Sequence, residues 1–259
     1  MSEQVIKISD DFLNIRGDFN LGGLLNIGTH SSLVRRRNGK WVLLDAYTLP
    51  AGIKATIDAQ TNNGNDIEAI INLHPFHTIH VAGVHKQYPN AKLYGTRRHH
   101  ENLHNLPWQP ERIESGECAA LFVDDFEFSI PVGVDFISEN EKVHFSSVIA
   151  YHSASKTIHV DDTLTYLALP GLLGKLKKPE IAFHFTLSKA LEKRAGAAED
   201  FRAWVRRLAS EWSAAENLCA AHSATLLGSE NRSASIAERI MSALASSEKT
   251  LYNHESKYG

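Results

Sequence analysis

The sequence has few cysteines and no long hydrophobic run, and both absences narrow the classes of protein it can be. Only two cysteines occur in 259 residues, Cys118 and Cys219, and they form no C-x-x-C pair. This excludes a disulfide framework and a thiolate zinc finger, and it fits a reducing compartment. No apolar stretch is long enough to span a bilayer, and the N-terminal residues lack the apolar core of a signal peptide. We therefore expect a cytoplasmic protein that does not bind membranes.

A strong charge of either sign is also lacking. The chain has 27 Lys and Arg against 30 Asp and Glu, which gives a net charge of −3. There is no basic footprint for nucleic acid, so a nucleic-acid partner is not expected. The chain is long enough to bury a large core, and 43% of its residues are hydrophobic. At this length one large domain is as plausible as two, and our prediction is a single domain over residues 1–259.

Short apolar runs alternate with helical patterns along the whole chain, which favours a layered α/β domain with mixed sheets. The pattern predicts helices over 52–60, 76–88, 187–194, 198–212 and 234–251. It predicts strands over 12–16, 31–35, 40–45, 67–73, 91–95, 119–123, 126–130, 143–152, 157–162 and 217–221.

Histidines are concentrated in one segment. Seven of the fourteen fall between His74 and His104, and the tightest group is His74, His77 and His80, directly after the predicted strand 67–73. Pro75 places His74 on a loop, because the residue before proline avoids helical backbone. Neutral imidazole is a common ligand for zinc and iron. Ordinary hydrogen bonding explains a lone histidine equally well, but three at this spacing favour a metal site.

Three more candidate ligands lie in the second half of the chain. Asp162 ends the predicted strand 157–162, and His222 follows the short apolar strand 217–221. His144 lies near the start of the strand pair that ends at Asp162. Because loops at strand ends gather functional groups in sheet proteins, these residues are candidate partners of the first histidine group.

The order and spacing of these motifs resemble the metallo-β-lactamase superfamily of metal-dependent hydrolases. The similar segments are the histidine group, the stretch from His144 to Asp162 and the late His222 motif. The resemblance implies an α/β fold in the form of a four-layer αββα sandwich, with one or two metal ions in a groove. It implies the following metal ligands: His74, His77, His80, His144, Asp162 and His222.

The sequence also departs from the family's His-x-His-x-Asp-His motif. When His77 and His80 are aligned with the second and last histidines, Pro75 replaces the first histidine and Ile79 replaces the aspartate. His74 sits one residue early and could substitute for the first ligand. In the family that aspartate binds the second metal and handles protons, so its replacement favours a mononuclear site.

The leading hypothesis is a hydrolase that acts on a small-molecule substrate through hydroxide on a zinc ion, with iron as the alternative. His80 and Asp162 are the expected catalytic residues, and His80, His222 or Asp161 could take over the proton role lost at Ile79. A catalytically silent protein that binds a metal or ligand on the same scaffold is the main alternative. Redox chemistry at iron ranks last. A homodimer could form through the C-terminal helix.

Several other polar residues have simpler explanations. Asp45 is expected to shape the groove through backbone hydrogen bonds. His99 and His100 are expected at the surface or behind the metal ligands. His152 and His159 are expected on strands, facing solvent or a neighbouring element.

Overall fold

The structure of the chain is a computed structural model that describes residues 4–21, 25–26, 28–166, 179–222, 224–231 and 233–259. The chain divides into two compact units, Met1–Glu127 and Phe128–Gly259. Among the described residues, no helix combines the length and the apolar character needed to cross a bilayer.

The first unit is built on a six-stranded sheet with the order β1-β2-β5-β6-β7-β8, and β3 and β4 form a separate short hairpin. Its strands are β1 (Gln4–Ser9), β2 (Phe12–Gly17), β3 (Asn20–Leu21), β4 (Leu25–Asn26), β5 (Thr29–Arg35), β6 (Trp41–Leu44), β7 (Ile67–Ile71) and β8 (Lys92–Tyr94). Its helices are α1 (Ala51–Gln60), α2 (Val81–Gln87), α3 (Arg97–Asn102) and α4 (Gly116–Leu121).

Three neighbouring strands of this sheet run parallel and end at the same edge. β6 pairs with β7 so that Leu44 lies opposite Ile71, and β7 pairs with β8 so that Ile71 lies opposite Tyr94. The strands are short, apolar and almost wholly buried, as parallel strands covered on both faces are. The polar residues that follow them, among them Asp45 and Asn72, therefore emerge side by side.

The second unit has a five-stranded sheet with the order β15-β14-β11-β10-β9 and a separate pair, β12 and β13. Its strands are β9 (Phe126–Ser129), which spans the boundary between the units, β10 (Ile149–His152), β11 (Thr157–Val160), β12 (Leu164–Tyr166), β13 (Ile181–Phe183), β14 (Asn217–Ala220) and β15 (Thr225–Leu226). Its helices are α5 (Leu187–Ala190), α6 (Ala197–Glu211) and α7 (Ile236–Tyr258).

Each unit has its own buried core. In the first unit, side chains from the sheet pack with Ile53 and Ile57 of α1 and with Val84 of α2. In the second unit, Phe201 and Trp204 of α6 belong to a core shared with the sheet and α7. The α/β class predicted from the sequence is confirmed.

For two predicted elements, the type of secondary structure or its first residue differs from that in the structure. Residues 119–123 were expected to form a strand, but α4 ends at Leu121 and begins after Ser115, whose hydroxyl accepts the Cys118 N–H as an N-cap. The helix expected from residue 76 begins only at Val81, because His77 N–H donates to His74 and Thr78 N–H donates to Phe76 in separate turns.

Other elements differ in length. The strand expected over 143–152 is regular only from Ile149, so His144 lies on irregular backbone. The helix expected over 187–194 is a single turn, Leu187–Ala190. α7 continues to Tyr258, beyond the expected end at residue 251.

Candidate metal centre

The loop after β7 carries the histidine group, and a buried carboxylate fixes its first residues. Asp45, directly after β6, accepts the N–H of Leu73 through Oδ1 at 2.7 Å, while its own N–H donates to Ile71 O at 2.8 Å. Asp45 has a positive φ of 58°, a conformation that aspartate tolerates better than most residues. The predicted role of Asp45 in backbone hydrogen bonding is confirmed.

His74 and His77 lie against each other on this loop. Their rings are stacked with centroids 3.9 Å apart and planes 19° apart, and a ligand-type nitrogen of one lies within 4.8 Å of one on the other. Imidazole nitrogens this close together can serve as ligands to the same metal ion.

The hydrogen bonds of His74 set the conditions under which it can act as a ligand. Its Nδ1 accepts the N–H of Phe76 at 3.1 Å, so the neutral ring carries its proton on Nε2. Binding a metal through Nε2 would move this proton to Nδ1 and break the bond from Phe76. Coordination by His74 thus requires one local rearrangement.

His80 is already in a ligand form. The Thr48 hydroxyl donates to the carbonyl oxygen of His80 at 3.4 Å, and its Oγ1 lies 3.2 Å from His80 Nδ1. Nδ1 therefore carries the proton, and Nε2 keeps its lone pair. This Nε2 is buried and has no hydrogen-bond partner within the part of the chain that the structure describes.

Burial disfavours the charged form of His80. Burial lowers the pKa of His80 below its ordinary value, and the neighbouring His77 lowers it further. A buried, uncharged nitrogen lone pair is costly unless something binds it. A metal ion bound at Nε2 would meet this requirement. Of the features of this loop, the buried Nε2 of His80 points most directly to a metal ion.

His99 connects α3 to the same loop. The side chain is 0% exposed; its Nδ1 accepts the N–H of Thr96 at 3.1 Å and Nε2 donates to the carbonyl oxygen of His77 at 3.4 Å. Burial is the main reason that the pKa of His99 falls to about 3. His99 thus lies behind a candidate ligand, which is the second of the two positions expected for it. His100 is half-buried and stacks on Trp108.

In the second unit, Asp162 and His222 form a pair. β11 and β14 run parallel, with Val160 opposite Ala220, so the residues that follow them emerge together. Asp162 is buried, and its Oδ1 lies 3.0 Å from Nε2 of His222. A carboxylate against an imidazole nitrogen is an arrangement used both to bind a metal and to orient a metal-binding histidine.

The backbone of His222 has an unusual conformation that neighbouring hydrogen bonds hold in place. Its φ is 60°, in the left-handed region that is uncommon for residues other than glycine, asparagine and aspartate. Ala221 N–H donates to Val160 O at 2.9 Å, and Ala224 N–H donates to His222 O at 2.9 Å. The turn is therefore held on both sides of His222.

The remaining predicted site residues have different surroundings. His144 is half-buried on irregular backbone, and its role as a ligand stays a prediction. Asp161 is buried beside Asp162. His152 and His159 lie on β10 and β11, as expected, and both are buried rather than facing solvent.

The structure adds two residues that sequence reasoning did not place in the site. Thr48 was not considered, because a threonine after a strand carries no specific signal for contact with a histidine 32 positions away. Thr96 is the N-cap of α3. Its spacing to His99, three residues, is that of a capping box, and this spacing was the available signal for the position of the His99 ring.

Position 79 lacks the donor that the resemblance implies for a second metal ion. Ile79, in the position where the resembled family has aspartate, is 73% exposed and offers no donor atom. The candidate donors among the described residues are imidazoles and carboxylates, and both types suit zinc or iron.

The sequence matches no protein-family model and no curated protein. The fold, in contrast, is similar to solved metallo-β-lactamase structures. The DIM-1 metallo-β-lactamase is 13% identical, with a TM-score of 0.60 over 96% of this chain and 98% of that chain. FIM-1 from Pseudomonas aeruginosa, in its mono-zinc form, is 11% identical, with a TM-score of 0.60 over 97% of each chain.

A metallo-β-lactamase from Hirschia baltica is 12% identical, with a TM-score of 0.57 over 98% of each chain. Identities this low carry no information on substrate, whereas similarity along nearly the full length of both chains establishes the fold. The chain has the α/β fold of the metallo-β-lactamases.

Proposed function

We propose that the protein is a metal-dependent hydrolase that binds one zinc or iron ion and acts on a small-molecule substrate. The observation that carries the proposal is the loop after β7, where the rings of His74 and His77 are stacked and Nε2 of His80 is buried with no hydrogen-bond partner among the described residues. The proposed ligands are His74, His77, His80, His144, Asp162 and His222. A bound ion of this kind supplies a Lewis acid that polarises a substrate oxygen and acidifies water.

Residues of the chain would orient the ligands and carry the protons. Thr48 holds the proton on Nδ1 of His80 and so leaves Nε2 free to bind or to accept a proton. Asp162 orients His222 through the 3.0 Å contact. Because Ile79 cannot carry a proton, His80, His222 and Asp161 are the proposed proton carriers, with His80 and Asp162 the proposed catalytic residues.

Zinc is the preferred ion. Imidazole and carboxylate ligands suit both zinc and iron, but one protein of the same fold has been crystallised in a mono-zinc form. We also propose a cytoplasmic location and a homodimer formed through α7.

The second candidate function is ligand or partner binding without catalysis. The exposed Ile79 favours it, because this residue removes the family's proton carrier and presents an apolar side chain to solvent. A fold can persist after its chemistry is lost. The hydrolase requires both a bound metal and turnover, whereas the silent protein shows no turnover and need not bind a metal.

The test is elemental analysis by mass spectrometry on untagged, full-length protein. Wild type is compared with His77→Ala and Asp162→Ala, and His104→Ala serves as the control because His104 is an exposed histidine of the same segment. We expect about one zinc or iron ion per chain, lost in the first two variants and retained in the control. Metal that persists in both variants, or no metal after reconstitution, would contradict the proposal.

Turnover is then measured on matched ester, thioester and lactone substrates with the zinc-loaded protein. Hydrolysis that His77→Ala abolishes and His104→Ala preserves supports the hydrolase. Metal bound as predicted, with no turnover of any substrate class, supports the silent binding protein instead.

A further inference from the structure

The geometry points to His99 as a positioning residue, which holds the backbone of His77 in place through its Nε2–H. The inference rests on the proposed function, because it assigns His99 the task of fixing a proposed metal ligand. His99 itself would not touch the ion or the substrate.

The two nitrogens of the His99 ring do different work. Nδ1 receives the Thr96 N–H at 3.1 Å and lies 3.0 Å from Thr96 Oγ1, which completes the capping box of α3. Since Nδ1 accepts, the proton lies on Nε2, which points at the carbonyl oxygen of His77, 3.4 Å away. One side chain therefore ties the start of α3 to the ligand loop.

The ring is held from the other side as well. Trp108 packs against it with ring centroids 5.5 Å apart, and a β-carbon on Gly95 would lie only 2.7 Å from Trp108 and 2.9 Å from the β-carbon of His99. The absence of a side chain at Gly95 lets these two rings sit close to the end of β8. His99 is therefore fixed before any ligand binds.

Helix capping alone does not explain a histidine at this position. The third residue of a capping box is ordinarily glutamate or glutamine, whose side-chain oxygen accepts the N-cap N–H. Glutamate would satisfy Thr96 but would turn an acceptor toward the His77 carbonyl. Glutamine would keep both contacts, because its oxygen can accept from Thr96 while its amide donates to His77.

This difference separates the two roles experimentally. His99→Gln keeps the cap and the donor to His77, His99→Glu keeps the cap and loses the donor, and His99→Ala loses both. If His99 acts only as a cap, the glutamine and glutamate variants behave alike. If it positions His77, only glutamine restores the wild-type behaviour.

The first measurement is zinc affinity of the full-length chain by competition with a chromophoric chelator. Loss of a residue that orients a metal ligand typically weakens binding by about 10–100-fold. We expect a loss in this range for His99→Glu and His99→Ala, and binding within about threefold of wild type for His99→Gln. Equal affinity of the glutamate and glutamine variants would overturn the inference.

The second measurement is amide hydrogen exchange of residues 74–80 in the metal-free protein. We expect exchange on this loop to be about tenfold faster in His99→Glu than in His99→Gln, with unchanged exchange in the strands of the sheet. If wild type binds neither zinc nor iron, the proposed function fails and the exchange experiment still decides the role of His99. Equal exchange in the two variants refutes that role whatever the metal result.

Discussion

Asp45 offers the most direct test of how the ligand loop is held. Its carboxylate receives the Leu73 N–H at 2.7 Å, one residue before His74, and its backbone has a φ of 58°. Replacement by asparagine keeps an oxygen acceptor and a residue that tolerates positive φ. Replacement by glycine keeps only the backbone freedom, and replacement by alanine keeps neither.

The expected losses of stability follow from these two features. A buried N–H that loses its partner, here a charged acceptor, costs about 1.5–3 kcal/mol. Forcing alanine into left-handed backbone costs a further about 1–2 kcal/mol. We therefore expect Asp45→Ala to lower the free energy of unfolding by about 3–4 kcal/mol, Asp45→Gly by less, and Asp45→Asn by about 1 kcal/mol.

The assay is urea denaturation followed by circular dichroism, with the slope of each transition compared to confirm that the folded and unfolded states are unchanged. The order of stability is the critical result: asparagine above glycine, and glycine above alanine. If asparagine destabilises the protein as much as alanine does, the bond to Leu73 and the positive φ are not what Asp45 supplies, and the reasoning is wrong.

Two further predictions concern packing and charge. A β-carbon on Gly83 would lie 2.2 Å from Thr48 Oγ1, so Gly83→Ala should cost about 1–3 kcal/mol; adding Thr48→Ala should recover part of this loss in a thermal melt, and no recovery would contradict the predicted clash. In α7, the hydrogen bonds from Arg202 lower the pKa of Glu255 below its ordinary 4.5. The stability that Glu255 contributes should be full at neutral pH and be lost as the pH falls through its folded pKa. In urea titrations at several pH values, the difference between wild type and Glu255→Gln should therefore shrink in acid, and a pH-independent difference would argue against the pairing.

The strand ends could be predicted from the sequence because their signals are local. The apolar run 67–73 followed by Pro75 predicts a buried strand and a loop at His74, and β7 occupies the first five residues of this run, Ile67–Ile71. The α/β fold could be predicted from the order of such segments and their resemblance to a known family. The fold comparisons confirm it.

The parts that could not be predicted depend on contacts between distant segments. Thr48 and His80 meet across 32 positions, and His99 and His77 across 22, and no local pattern encodes either pair. The error at residues 119–123 was avoidable in principle. Ser115 and Glu117 are N-terminal helix signals, but the apolar and β-branched character of the segment outweighed them in the prediction.

The pairing of Asp162 with His222 has a consequence for the synthesis of the protein. The two residues are 60 positions apart and are brought together by β11 and β14, so Asp162 leaves the ribosome long before its partner does. A nascent chain lacks this pair until β14 and His222 have emerged, which is after most of the second unit has been synthesised. A ligand that needs both Asp162 and His222 would therefore be captured late in synthesis, and its retention would mark chains in which β11 and β14 have already paired.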